Sequence, residues 1–304
     1  MTTSVVVATL GRSAIFERCL SAIASGAYGA TEVVVVDQSS EGIGGAAASA
    51  LAASATRARH VRTAPAGVSA ARNLGAREAT GDLLAFTDDD CVPDARWLEE
   101  LVHALERAGA GAASGRVLPL DDGLDGRVAV SSRTDTQERV VGGRDGVAPW
   151  SLGTGGNLIV RSDVFRLIDG FDEEFGPGAR YRAAEDIEFL ERLLGAGSSV
   201  AYAPSAVVYH EMKTPRERLR RRYPYGFGMG ALVAKAERPR RRRLATDYLV
   251  MQARATAAAT RARSARRLAE PPLSAAGFTA GFVAATAARA APGRGSRPGS
   301  RPVP

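Results

Sequence analysis

The stretch that decides the fold runs from Leu83 to Pro93 and reads LLAFTDDDCVP. It joins an apolar run, Leu83–Phe86, to three adjacent carboxylates, Asp88–Asp90. Carboxylates this close repel one another unless a cation neutralises them, and hard divalent cations prefer oxygen ligands. The pattern therefore predicts a Mg²⁺ or Mn²⁺ site at the end of a buried strand. Because Mg²⁺ takes few protein carboxylates and completes its shell with water and phosphate oxygens, the pattern also indicates a diphosphate ligand.

Strand-like and helix-like patterns alternate through the first half of the chain. Short apolar runs, expected to be strands, occur at Val5–Ala8, Glu32–Val36 and Leu83–Thr87. Apolar residues recur at helical spacing in Val68–Ala79 and Asp94–Ala108. This alternation predicts an α/β fold, with a mixed, mostly parallel sheet flanked by helices.

Polar residues follow these strands at the point where ligands of α/β sheets bind, beyond the carboxyl ends. Asp37 comes directly after the second strand, as Asp88 follows the third, so both are expected at one edge. An aspartate there could accept hydrogen bonds from a nucleobase or a ribose. A local alternative exists in each case, because Asp and Ser are common turn residues and the triplet could be an acidic turn that caps the next helix.

Length and composition favour one large domain with an appendage. The chain has 304 residues, and 45% of them are hydrophobic, enough for a substantial core. Cys19 and Cys91 match no CxxC spacing, so neither a disulfide framework nor a cysteine zinc site is indicated. No signal-peptide pattern follows Met1, and no apolar run of roughly 20 residues predicts a transmembrane helix. A cytoplasmic location is therefore expected.

The second half of the chain is less regular. Gly-, Asp- and Arg-rich sequence at 116–150 predicts a long excursion from the core. Two Ala-rich helical patterns, at about 244–263 and 273–290, lie near the end. The final residues are rich in Pro, Gly, Ser and Arg, which predicts disorder. The expected parts are an α/β domain, a basic helical extension and a disordered tail, at 1–212, 213–290 and 291–304.

An ordered set of short motifs covers roughly residues 3–212. In chain order they are Val5–Thr9 with Gly11-Arg12, Val34–Asp37, Gly67–Gly75, Gly81-Asp82 leading into Asp88–Asp90, Gly155–Leu158, Gly170–Glu173 and Glu185-Asp186. Each motif is weak alone, but the ordered set is specific. The sequence resembles the family 2 glycosyltransferases with the GT-A fold. This resemblance implies metal-dependent transfer of a sugar from a nucleotide-diphosphate donor.

The resemblance also implies roles for individual residues. The donor nucleotide is expected to contact Thr9, Asp37, Arg72, Asp88 and Asp89. The expected ligands of Mg²⁺ or Mn²⁺ are Asp90, Asp88 and His210. Asp186 matches the general base, with Glu185 as the rival candidate. The acceptor is expected beside Gly155, Gly156 and Asn157. It is also expected around Trp150 and the irregular 116–150 region, where the resemblance is weakest.

The expected reaction is direct displacement with inversion, because one base would act on the face opposite the leaving diphosphate. No QxxRW motif of processive synthases begins at any glutamine, so transfer of a single sugar is the better interpretation. Two alternatives stay open: a sugar nucleotidyltransferase, and a non-catalytic scaffold that binds a nucleotide sugar or a membrane. Acids in the first turn of a helix also explain Glu185 and Asp186 without catalysis.

The net charge of +7 is concentrated in residues 213–243, which hold twelve Lys and Arg against Glu217 and Glu237. Arginines here flank the aromatic run Tyr223–Phe227, as at a membrane interface. We expect an anionic membrane surface or a lipid-linked glycan acceptor as the partner, peripheral on the inner face of the cell membrane. A solvated charged surface is the alternative. Nucleic acid is not expected, since no recognised RNA-binding signature accompanies the arginines.

Overall fold

The computed structural model describes residues 1–11, 13–30, 32–43, 45–53, 57–121, 123 and 126–290. Arg12 of the Gly11-Arg12 motif and the tail predicted to be disordered, 291–304, lie outside the described residues.

Within this described part, nine strands form one sheet in the order β3-β2-β1-β4-β8-β6-β9-β5, with β7 paired to β9. The strands are β1 Thr3–Thr9, β2 Glu32–Asp37, β3 Arg57–Arg62, β4 Leu83–Asp88, β5 Cys91–Pro93, β6 Ala112–Leu120, β7 Arg139–Gly142, β8 Leu158–Arg161 and β9 Ser199–Glu211. Strands β1 to β4 are parallel to their neighbours in that group, whereas β8 is antiparallel to β4 and β6. The sheet is therefore mixed, as predicted.

The helices are α1 Ser13–Ala24, α2 Gly45–Ala53, α3 Val68–Glu78, α4 Trp97–Arg107, α5 Ser162–Leu167, α6 Glu185–Gly195, α7 Pro215–Lys235, α8 Arg238–Arg261, α9 Ala265–Leu268 and α10 Glu270–Ala290. A 3-10 turn spans Pro149–Ser151. The predicted strands and helices of the first half are confirmed, with boundaries shifted by up to three residues.

The core lies on both faces of the sheet. Side chains alternate along each strand, so Val5 and Val7 pack in one apolar cluster while Val6 packs in the other. Because both faces are covered, these strands appear in the sequence as continuous apolar runs. In the second cluster, the rings of Phe171 and Phe189 stack with centroids 4.5 Å apart. Phe171 also packs edge to face against Phe86 of β4, so it lies between α6 and the sheet.

The prediction of a long excursion over 116–150 is wrong at its start and at Arg139–Gly142, where β7 pairs with β9. The strand β6 continues to Leu120, because Arg116–Leu120 pair in parallel with Val207–Glu211 of β9. A register shift between Gly115 and Arg116 interrupts the ladder and hides the strand's periodicity.

Backbone contacts divide the chain into two compact units, Met1–Arg221 and Arg222–Pro304. The first unit extends past the predicted boundary at residue 212, since Lys213 is buried and Arg218 donates a hydrogen bond to the Ala129 carbonyl at 2.5 Å. The helices of the second unit approach closely at glycines. A Cβ on Gly230 would lie 1.9 Å from the Phe278 carbonyl oxygen, so only glycine fits there. Of the helices in the described ranges, none is long and apolar enough to cross a membrane.

Candidate active site

Three polar residues meet where parallel strands end. The register sets Thr9 of β1 beside Asp37 of β2, and Ala8 beside Asp88 of β4. Thr9 Oγ1 donates a 2.8 Å hydrogen bond to Asp89 Oδ2, which ties the first strand to the acidic triplet. The prediction that these residues share one edge of the sheet is confirmed.

Asp37 is fully buried at this edge and its carboxylate is held by local donors. Ser39 donates to it through its backbone N–H at 2.8 Å and its hydroxyl at 2.5 Å, and His60 Nε2 lies 3.1 Å away. Burial alone would raise the pKa of Asp37, but these hydrogen bonds and the adjacent histidine lower it below its ordinary value. Asp37 is therefore an ionised acceptor at the strand end.

Arg72 joins the acidic triplet to helix α6. The residue is only 2% exposed, and its guanidinium donates to Asp88 Oδ1 at 2.6 Å and lies 3.4 Å from Glu185 Oε1. It also lies over the Phe171 ring, 5.2 Å from the centroid. Burial opposes its charge, but Asp88 and Glu185 raise the pKa of Arg72 further, so the side chain is a permanent cation between two acids.

The loop before β8 lies tightly against these charges. A Cβ on Gly155 would be 2.5 Å from Arg72 Nη1, and one on Gly156 would be 2.6 Å from Asp88 Oδ2. A side chain at either position would force Arg72 or Asp88 to shift, so the two glycines let the loop lie close to the ion pair. The Gly155 N–H donates to Asp186 Oδ2 at 3.2 Å, so the loop also orients the predicted base.

Glu185 and Asp186 open helix α6 on the far side of Arg72. Burial and the adjacent Asp186 raise the pKa of Glu185 to about 7, and Arg72 offsets only part of that rise. Asp186 accepts hydrogen bonds from the backbone of Gly155 and, through Oδ1, from that of Ile187 at 2.8 Å. The pair therefore contains a carboxyl that can hold or release a proton near neutral pH.

The last acid of the triplet, Asp90, lies among residues from the end of β9. His210 Nε2 is 3.5 Å from Asp90 Oδ1, and Lys213 Nζ is 3.3 Å from Asp90 Oδ2. His210 Nδ1 is 2.7 Å from the Glu211 carbonyl oxygen, which can only accept, so Nδ1 carries a proton. In the neutral ring the Nε2 lone pair then faces Asp90. An imidazole N–H held by a carbonyl, with the other nitrogen free to ligate, is typical of metal-binding histidines.

The residues present fit a divalent cation. Asp90, Cys91 and His210 offer ligand atoms that all lie within 4.8 Å of one another, and all three side chains are buried. The Asp90 carboxylate suits Mn²⁺ or Mg²⁺, which prefer oxygen ligands. Asp88, at the other end of the triplet, pairs with Arg72.

Two family descriptions match the chain. Residues 83–284, about two thirds of the chain, match "Glycosyl transferase family group 2", and residues 4–147 match "Glycosyl transferase family 2". The chain belongs to the family 2 glycosyltransferases. Its resemblance to them, suggested by the ordered motifs, is confirmed, and the protein is a transferase enzyme.

Curated relatives of this glycosyltransferase come from different organisms. The glycosyltransferase AglE of Haloferax volcanii is 26% identical over 74% of this chain and 72% of its own. The pre-mycofactocin glycosyltransferase of Mycobacterium tuberculosis is 30% identical over 56% of this chain. The match spans only 35% of that longer relative.

Solved structures share the fold. Residues 1–349 of S. aureus TarS, in complex with UDP-GlcNAc, superpose with a TM-score of 0.59 at 16% identity, covering 82% of this chain and 72% of that TarS fragment. The mannosyltransferase PcManGT of Pyrobaculum calidifontis, in complex with GDP-Man and Mn²⁺, superposes with a TM-score of 0.59 at 22% identity. That match covers 95% of this chain and 78% of PcManGT. The glycosyltransferase therefore has the predicted GT-A fold.

Trp150 and Asn157, both predicted to contact the acceptor, differ in how deeply they are buried. Trp150 is half-buried in the 3-10 turn. The Asn157 side chain is fully buried: its Oδ1 accepts from Trp97 Nε1 at 2.8 Å, and its Nδ2 donates to the carbonyls of Arg116 and Ala206. Asn157 thus anchors the loop that contains Gly155 and Gly156 from inside the core. Its predicted contact with the acceptor stays a prediction.

Two residues of the candidate site, Lys213 and Cys91, were not predicted from the sequence. Lys213 was assigned to the basic segment, but it is 6% exposed and lies against Asp90 and Glu211. Its spacing of three residues from His210 was the available signal. Cys91 lies opposite His210 in the β5–β9 ladder, a pairing that no local pattern reveals.

We expect Glu185→Gln to stabilise the glycosyltransferase at alkaline pH. The unfolded Glu185 ionises near pH 4.5 but the folded one near 7, so wild-type stability falls as pH rises between these values. The amide mimics the neutral carboxyl and removes this penalty, which amounts to roughly 3 kcal/mol by pH 8. Urea unfolding at pH 4 and pH 8 measures the gain. The exposed Glu138→Gln should show no such pH-dependent difference, and an equal result for both variants would contradict the buried-carboxyl interpretation.

Proposed function

We propose that the protein transfers a single sugar from a nucleotide-diphosphate donor to an acceptor hydroxyl, with Mg²⁺ or Mn²⁺ and with inversion. One observation carries the proposal. Buried Arg72 connects Asp88, in the acidic triplet, to Glu185, beside the predicted base Asp186. Asp88 is suited to the leaving diphosphate, and Asp186 is suited to an attacking hydroxyl. Both thus lie beside the loop that contains Gly155 and Gly156.

The nucleoside end of the donor is assigned to Thr9 and Asp37. The ionised Asp37 at the strand end suits hydrogen bonds from a ribose or a base. Asp88 and Asp89 come next along the edge, nearer the predicted diphosphate position, with Arg72 holding Asp88 in place. TarS and PcManGT, which share this fold, were solved with UDP-GlcNAc and GDP-Man, and these two donor classes head the panel to test.

The diphosphate end is assigned to the surroundings of Asp90. Asp90 and His210 would hold the metal ion, with Asp88 as the further ligand implied by the family. When bound, the ion supplies positive charge to the leaving diphosphate. Lys213 adds a fixed ammonium beside Asp90, which a phosphate oxygen could share. The developing negative charge would thus meet groups already oriented for it.

The attacking hydroxyl is assigned to the Glu185–Asp186 pair. Asp186 is the proposed base, because the Gly155 N–H orients its carboxylate toward the loop where the acceptor is expected. Glu185 is the rival, since its pKa of about 7 suits proton transfer at neutral pH. Trp150 and the backbone of Gly155 and Gly156 would form the acceptor wall. A single base opposite the leaving group gives inversion.

The test is donor hydrolysis in the absence of acceptor. Glycosyltransferases with a bound donor release the sugar slowly to water, so a panel of nucleotide sugars with Mn²⁺ should show one donor that is consumed. Release of a nucleoside diphosphate supports the proposal. Release of pyrophosphate from a sugar phosphate and a nucleoside triphosphate would favour a nucleotidyltransferase, and tight donor binding without any turnover would favour a scaffold.

The acceptor is proposed to be a glycan or lipid-linked precursor at an anionic membrane surface. Arg238 and Arg242 lie one turn apart on α8 and are exposed. Two turns further along the same face, Leu249 is 64% exposed. Cations beside exposed apolar side chains suit an interface of lipid headgroups.

We expect the double variant Arg238→Gln/Arg242→Gln to bind anionic vesicles roughly 30-fold more weakly at low salt, at about 1 kcal/mol per arginine. Arg241 is left intact, because it donates to the carbonyls of Ala234 and Ala236 at the end of α7. Vesicle sedimentation at two salt concentrations measures the effect, which salt should diminish. Arg96→Gln/Arg107→Gln, at the two ends of α4, removes the same charge elsewhere and serves as the control. Equal vesicle binding by both double variants would refute the membrane assignment.

A further inference from the structure

We propose that Asp90, Cys91 and His210 form a site for thiophilic divalent ions such as Zn²⁺ and Co²⁺, with the Cys91 sulfur as a direct ligand. The site overlaps the position proposed above for Mn²⁺ or Mg²⁺, and its relevance to catalysis rests on that proposed function. Binding of the thiophilic ion itself does not. Zn²⁺ would then act as an inhibitor that occupies the same residues in a different coordination.

The sheet brings the three ligands together. Cys91 of β5 and His210 of β9 are direct cross-strand partners in an antiparallel ladder, and Asp90 immediately precedes β5. All three ligand atoms lie within 4.8 Å of one another. The 3.5 Å separation of His210 Nε2 and Asp90 Oδ1 already matches the edge of a tetrahedron with bonds of about 2.1 Å, which is roughly 3.4 Å.

The donor set is unusual for an ion that prefers oxygen. One carboxylate, one imidazole and one thiol are the ligand types of Zn²⁺ sites, whereas Mg²⁺ and Mn²⁺ favour carboxylate, carbonyl and water. His210 is prepared for ligation, because its Nδ1 proton is held by the Glu211 carbonyl. Three protein ligands leave a fourth position for water or a phosphate oxygen.

The charges of the ion and its ligands cancel, which favours binding of the ion in this buried site. Binding replaces the Cys91 S–H bond with a sulfur–metal bond and releases the proton to solvent. The ion's two positive charges are then matched by the Asp90 carboxylate and the Cys91 thiolate, which leaves no net charge. Lys213, now beside Asp90, also contacts Glu211 and keeps that acidic partner when the ion arrives.

Cys19 supplies a matched control. It is also a free, buried cysteine, and its Sγ lies 3.6 Å from the Asp88 carbonyl oxygen. Within the described residues, the cluster with metal-ligand spacing includes Cys91 but not Cys19. Each cysteine-to-serine change replaces a buried sulfur near the acidic triplet, but only Cys91→Ser removes a proposed ligand.

The test is titration of the chelator-treated 304-residue chain with Co²⁺, monitored by absorption. Wild type and Cys19→Ser should show a sulfur-to-cobalt charge-transfer band in the near ultraviolet that saturates at one ion per chain, and Cys91→Ser should lack it. Zn²⁺ should displace the Co²⁺. The affinity of the protein for Zn²⁺ should fall at least about 100-fold in Cys91→Ser. Loss of a direct ligand should cost no less than the loss that is typical when a residue supporting a ligand is changed. Cys91→Ala is a second variant, and circular dichroism checks that each variant folds.

A Co²⁺ spectrum without the charge-transfer band in folded wild type would overturn the proposal. So would an equal band in Cys91→Ser, or its loss in Cys19→Ser. Mn²⁺-dependent donor hydrolysis is measured in parallel, because it reports the proposed function separately. Hydrolysis without the band refutes only the Cys91 ligand, and the band without hydrolysis of any donor refutes only the glycosyl-transfer scheme.

Discussion

Asp90→Ala is expected to abolish sugar transfer and the Mn²⁺-dependent tightening of nucleotide binding. The carboxylate lies 3.5 Å from His210 Nε2 and is the proposed anchor of the ion, so its loss leaves the leaving diphosphate without its main positive charge. Removal of comparable electrostatic stabilisation lowers rates by about 10³-fold. Calorimetric titration of the nucleoside diphosphate with and without Mn²⁺, together with the transfer rate, measures both effects.

Two controls separate this outcome from misfolding. Asp163→Ala removes an exposed carboxylate at the start of α5 and should leave both measurements unchanged. Asp90→Asn keeps the shape of the side chain beside buried Lys213, and its thermal unfolding reports any cost of the lost ion pair. Wild-type turnover in Asp90→Ala, or in wild type with excess chelator, would rule out the assigned metal role.

Asp186→Asn is expected to separate donor binding from catalysis. The amide keeps the size of the side chain and can still accept the hydrogen bond from the Gly155 N–H, but it cannot take a proton. Loss of a general base costs about 10² to 10⁴ in rate. Nucleotide affinity should change little, since the proposed diphosphate contacts lie at the strand ends. Single-turnover transfer rates and donor dissociation constants measure the two quantities.

Glu185→Gln is the matched variant and should be the milder of the two. Its amide can still contact Arg72, which keeps its stronger partner Asp88. Near-wild-type transfer by Asp186→Asn with a collapse in Glu185→Gln would move the base to Glu185. Collapse of donor binding in Asp186→Asn would instead make Asp186 a residue of the donor site.

Much of the parallel half of the fold could be predicted from local patterns. The valine runs of β1 and β2 are buried on both faces, so they are apolar throughout, and helix α1 between them repeats apolar residues every three or four positions. The strand β3 was missed, because its sequence RARHVR alternates exposed and half-buried positions without an apolar face. The length of strand β6 was underestimated, because its register shifts after Gly115.

The sequence by itself determined which chemistry is present and at which strand ends it lies. Carboxylates directly after buried parallel strands must meet at one edge, because parallel strands run in the same direction, and this follows from chain order alone. The tertiary structure decided which charges pair. Arg72 bridges Asp88 and Glu185, and β9 carries His210 to Cys91, through contacts between segments far apart in the chain. Such pairings depend on strand register and helix packing, which local periodicity does not encode.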